Sequence, residues 1–201
     1  MRRIFVPPLV LALACLVLAH PASAHDQAGV AGGLIGGFLH PLSGADHLIA
    51  MVAVGIWGAQ LGAPALYVLP VTFPLVMSLG GVLGVMGVPL PAPEVMIALS
   101  AVILGLAVAA RLRVPFAAAG AIVAIFAIFH GHAHGAELPS AADPMAYGVG
   151  FVVATGLLHL LGIAIGVLTR WPAGERAIRG LGAAIAALGC FFLLRSLDVL
   201  A

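Results

Sequence analysis

MAYGVGFVVATGLLHLLGIAIGVLT, residues 145–169, carries no Asp, Glu, Lys or Arg, and its length decides the class of the chain. About 20 apolar residues, rising 1.5 Å each in an α-helix, cross the ~30 Å hydrocarbon core of a bilayer. Such a run therefore reads as a membrane span. The rest of the 201 residues follows suit: 63% are hydrophobic, 7% are charged and none is lysine. A soluble domain of this length shows amphipathic alternation and a charged surface, and this sequence shows neither. The composition specifies an all-α, polytopic helical membrane protein with about six transmembrane helices. A net charge of +1 gives no reason to expect nucleic acid as a partner.

Other spans are expected at about 44–61, 65–86, 94–110, 114–134 and 177–197. Residues 29–61 would make a ~50 Å helix, too long for one crossing. Pro41 and Gly44 are expected to interrupt it, leaving a Gly-rich segment over 29–39 at or dipping into the membrane. Pro70 and Pro74 should kink the second span. Gly80, Gly81, Gly84 and Gly87, with Gly156, Gly162 and Gly166, offer small-residue faces for close helix approach.

The first 24 residues read as a signal peptide. Arg2 and Arg3 form a charged start, Val6 to Ala19 a short apolar core, and Ala22-Ser23-Ala24 a small-x-small cleavage site. A single transmembrane domain over 25–201 would remain, beginning at His25, whose amine and imidazole could together chelate a metal. Cys190 would then be the one cysteine left, which excludes an internal disulfide and a cysteine-pair metal site.

Loop charge sets the orientation. Arg111 and Arg113 follow one span, and Arg170, Arg176 and Arg179 fill a later connection. The connection holding Glu137 and Asp143 has no basic residue. Positive loops face the cytoplasm, so the mature N-terminus is expected outside, in the periplasm of a bacterial inner membrane.

Polar residues in so apolar a chain need a reason. His40, Asp46 and His47 fall at the outer end of the first span. His130, His132, His134 and Glu137 fall at the outer end of the fourth, and His159 lies roughly mid-membrane in the fifth. His130 and His134 share one helical face, which Glu137 extends, while His132 points elsewhere. Gly131 and Gly135 leave open whether the helix unwinds there. Ser43 and Asp46 fit a capping box with Ser43 as N-cap, so Asp46 has three open roles: cap, ligand, or partner orienting a ligand. His159 could serve a helix–helix hydrogen bond or act as an inner ligand. Imidazole nitrogen and carboxylate oxygen without thiolate suit Ni, Co, Zn or Fe.

His40-(five residues)-Asp46-His47 and Phe129-His130-Gly131-His132-Ala133-His134-Gly135-Ala136-Glu137 resemble the two signature motifs of the HupE/UreJ family of nickel/cobalt permeases. Val54-Gly55-Ile56-Trp57 and Ala154-Thr155-Gly156-Leu157-Leu158-His159 also look like that family. The resemblance implies a secondary transporter for Ni²⁺, or Co²⁺, as transported ligand rather than permanently bound cofactor. Its expected role is to supply a nickel enzyme such as hydrogenase or urease. It also implies metal ligands at His40, Asp46, His47, His130, His134 and Glu137. The rival class is a membrane metal-binding, haem or di-metal protein without transport activity. The zinc-protease helix motif His-Glu-x-x-His is absent from the sequence, and no enzymatic activity is expected.

Overall fold

The computed structural model describes residues 29–138 and 142–199. The expected signal peptide, Cys15 and His25 lie outside them. Among the described residues, seven α-helices follow one another: α1 (Gly29–Ser43), α2 (Ala45–Leu61), α3 (Ala65–Val85), α4 (Pro93–Ala110), α5 (Phe116–Ala136), α6 (Pro144–Gly166) and α7 (Pro172–Ser196). A 3₁₀ turn, Val167–Arg170, joins the last two. There is no strand among the described residues. Helices α3 to α7 are each long and apolar enough to cross a bilayer, and the bent pair α1–α2 brings the number to six.

Helix α2 is the axis. Every residue from His47 to Gly58 is buried, and α3, α4 and α6 all pack against it. A helix apolar on all sides belongs in the middle of a bundle. Around it, α3 pairs with α5, α4 with α7, and α1 with α6. Leu75, Leu79, Leu157 and Leu160 remain exposed on the outer faces, where they suit lipid.

Lipid tails are as apolar as leucine, so helices associate in a bilayer through close fit. Glycine supplies that fit here. A Cβ on Gly131 would run into the Met77 carbonyl, and one on Gly135 into the Gly81 carbonyl, so α3 and α5 touch backbone to backbone. Gly55 and Gly162 do the same between α2 and α6. These glycines are packing devices, and α5 stays helical through Gly131 and Gly135 to Ala136. The small-residue faces expected at Gly80, Gly84 and Gly162 are formed, whereas Gly156 faces open space and Gly87 lies beyond α3 in a turn.

Two local expectations need correction. Pro41 does not end α1, which continues to Ser43; the break falls at Gly44, where the axis turns by 82°. Proline removes one amide donor but still allows helical φ, whereas Gly44 adopts extended backbone (φ −89°, ψ 109°). Ser43 is not the N-cap of α2. Gly44 holds that position, and the Ser43 hydroxyl donates back to the His40 carbonyl at 2.7 Å. Helix α3 forms one element through Pro70 and Pro74.

The two ends of the bundle differ in charge. At one end Arg111 pairs with Glu175 at 2.7 Å, and Arg179 Nε donates to the Ala109 carbonyl at 2.9 Å. The C-terminus of α2 lies there too, with Trp57 Nε1 donating to the Leu112 carbonyl at 2.9 Å. His47 begins the opposite end of that helix, so both histidine segments lie away from these arginines. Arg195 is at the histidine end, lining a cavity of about 340 Å³ with Asp46, Glu94 and Ser196.

Candidate metal site

The break at Gly44 builds the first half of the site. Turning the chain there leaves His40 at the end of α1 and His47 in the first turn of α2. A Cβ on Gly44 would stand 2.8 Å from His47 Cδ2, so glycine also makes room for the imidazole. Asp46 Oδ1 accepts the His47 backbone N–H at 2.9 Å. That carboxylate satisfies a free amide at a helix N-terminus and favours the positive end of the dipole. Its side chain borders the Glu94–Arg195 cavity.

Helix α5 supplies the second half from one face: His130, His134 and, at its C-cap, Glu137. His130, His132 and His134 are all buried. His40 Nε2 lies 3.4 Å from Glu137 Oε2, and the His40 and His134 rings meet edge-on with centroids 4.7 Å apart. One ligand atom from each of His40, His134 and Glu137 falls within 4.8 Å of the others. Ligands sharing one ion through ~2.1 Å bonds stand at most about 4.2 Å apart, so small side-chain rotations would close the set on a cation.

The imidazoles continue inward from there. His47 lies 4.1 Å from His134 and 5.0 Å from His130, ring centre to ring centre. His130 Nδ1 donates to the Phe126 carbonyl at 3.0 Å; since a carbonyl can only accept, Nε2 is left with the lone pair. That Nε2, His47 Nδ1 and both nitrogens of His134 are buried without a partner. An unpartnered buried polar atom costs roughly 1–3 kcal/mol, and each neutral imidazole here has one lone-pair nitrogen able to ligate a cation. Beyond Phe73, His159 is also fully buried, with neither ring nitrogen hydrogen-bonded. The Pro70 carbonyl, deprived of its helical donor by Pro74, approaches the His159 ring without completing a bond.

His132 leaves the column, as the helical spacing predicts. Its Nε2 donates to the Val88 carbonyl at 2.7 Å, tying α5 to the α3–α4 connection. Glu137 is the charged mouth of the site. Its carboxyl sits below the usual carboxylate range, chiefly through the hydrogen bond from His40 and against the opposing effect of burial.

Sequence reasoning missed Tyr147 and Phe151 in the wall opposite these histidines. With Thr155 and His159 they recur every four residues on the buried face of α6. Phe151 contacts His134 at 4.3 Å, and Tyr147 contacts His40 at 5.8 Å. The i, i+4 spacing was legible, but aromatic residues in an apolar span read as ordinary packing. A groove of about 560 Å³ between α3, α5 and α6 opens beside His134.

Comparison with known proteins shows the family of the chain. The family described as HupE / UreJ protein matches residues 13–192. A curated relative, Protein HupE of Rhizobium leguminosarum bv. viciae, is 44% identical over 178 residues, covering 88% of this chain and 93% of the relative. No solved structure matches the chain significantly.

Proposed function

Because the chain belongs to the HupE/UreJ family, we propose that it is a permease for a divalent transition-metal cation, nickel first and cobalt as its chemical near-equivalent. The cation is the cargo, taken up at the Glu137 end of the bundle and released at the arginine-rich end. In a bacterial inner membrane with positive loops inside, that direction runs from periplasm to cytoplasm. A signal peptide over 1–24 followed by one permease domain over 25–201 suits the same orientation. Delivery to a nickel enzyme such as hydrogenase or urease is the corresponding cellular role, and the protein itself performs transport rather than catalysis.

The observation that carries this reading is the column Glu137–His40–His134–His47–His130, in which His47 Nδ1, His130 Nε2 and the His134 nitrogens are buried without partners. Glu137 and His40 replace the first waters of the hydrated ion, and His134 completes the set. His47 and His130 offer the next ligands at the depth where water is scarce. Asp46 serves by fixing the first turn of α2 and adding negative field beside His47. Bidirectional exchange of ligands, rather than one closed cage, is what a carried ion requires.

No ATP is needed for uptake. Each charge gains ~2.3 kcal/mol per 100 mV of membrane potential, so a divalent cation gains about twice that, a gradient on the order of 10³. The test is nickel uptake by proteoliposomes holding an inside-negative potential. Accumulation that stops when the potential is collapsed supports a permease. Saturable binding without accumulation would instead favour a membrane metal-binding protein.

A further inference from the structure

The column of imidazoles has one interruption. Phe73, in the middle of α3, is fully buried. Its ring centre lies 5.4 Å from that of His130 and 5.3 Å from that of His159, edge-on to both. That ring touches both imidazoles but offers no lone pair to an ion stripped of water, so an ion handed from His130 to His159 meets an apolar side chain in contact with both.

The His159 side has donors of its own. Both ring nitrogens of His159 are buried without partners. With the nearby Pro70 carbonyl they make a small nitrogen-and-oxygen set where α6 meets Phe73. The helix that carries the ring is also weakened at that level. Pro70 and Pro74 flank Phe73, and each removes one helical hydrogen bond. Proline is the commonest cause of a sharp bend in a helix, so α3 can flex where its bulkiest inward side chain sits.

We propose that Phe73 is the occluding residue between an outer binding compartment, ending at His130, and an inner one at His159. The cation passes only when the ring swings aside with the Pro70–Pro74 segment. This rests on the permease reading for its role in transport, although the barrier itself is a statement about access.

Access can be measured without any metal. In a C15A/C190A background, the substitution H159C places a thiol behind the barrier. A membrane-impermeant, charged thiol reagent is then applied from the Glu137 face of sealed vesicles. The expected result is slow labelling with Phe73 in place and labelling at least tenfold faster when F73A is added. F73L retains most of the packing and should shift the rate in the same direction if F73A fails to fold. Equal labelling rates with Phe73, F73L and F73A would overturn the proposal. Nickel flux through the otherwise unsubstituted protein separates the two claims. A labelling change with no nickel flux leaves the barrier standing and sinks the permease. Nickel flux with no labelling change does the reverse.

Discussion

The imidazoles of His47 and His134, carried by different helices, have ring centres 4.1 Å apart. This contact joins the N-terminal turn of α2 to the C-terminal turn of α5 and makes one site out of two distant sequence motifs. Because both segments end at the same face of the bundle, His40 and Glu137 can close over the top while His130 continues below.

His134 touches His40, His47 and Phe151, so it is the residue whose loss matters most. H134A should weaken nickel binding at least about tenfold, since even groups supporting a ligand are worth 10–100-fold in affinity. H132A should leave affinity within about threefold and cost roughly 1 kcal/mol of stability through its lost hydrogen bond to Val88. Calorimetric titration of both variants in detergent, with thermal melts, checks the pair.

Asp46 acts through the His47 amide. D46A removes the acceptor at the start of α2 and should cost about 0.5–2 kcal/mol, the usual value of an N-terminal cap. D46N keeps an acceptor oxygen and should recover most of that stability together with nickel affinity. Equal loss of affinity in D46A and D46N, with stability unchanged, would make Asp46 a direct ligand instead.

Two glycines of α5 should respond in opposite ways to a larger side chain. A leucine at Gly131 would collide with the Met77 carbonyl and drive α3 from α5, so G131L should fail to yield a monodisperse protein. Gly120 faces open space, and G120A should raise stability by about 0.5–1 kcal/mol because alanine is the better helix former. Size-exclusion profiles and melting curves read both outcomes.

Glu137 supplies a pH test with a definite sign. Its folded pKa is lowered from 4.5, so its contribution to joining α1 and α5 is complete above pH 4.5 and is lost as pH falls through the lower folded value. It is therefore ionised throughout the range in which histidine side chains generally change charge, pH 5 to 8. Nickel affinity should decline on acidification across that range because protons compete for imidazole nitrogen. E137Q should lower affinity at every pH in that range. Unchanged nickel affinity in E137Q would remove Glu137 from the ligand set.

Much of the fold was legible because hydrophobic length is a coarse and reliable signal. The apolar runs placed α3 to α7 within a few residues of their ends, and loop arginines separated the two faces. Local geometry near Gly44 was not legible. Pro41 and Gly44 are both helix breakers by composition, and only the packing of α1 on α6 shows that the bend falls at glycine. The site followed the same division. The spacing of His130, His134 and Glu137 put them on one face and sent His132 away. That Asp46 borders a different cavity, and that Phe73 packs edge-on against both His130 and His159, depend on how α3, α4 and α7 pack, and periodicity carries no such information.

The central claim is that residues of α1 and α5 hold one cation together. X-ray absorption at the nickel edge, on detergent-purified protein loaded with one equivalent of Ni²⁺, reads it directly. The account predicts nitrogen and oxygen ligands that include at least two imidazoles, with one imidazole lost in H40A, one lost in H134A and none lost in H132A. An unchanged imidazole count in both H40A and H134A would contradict it.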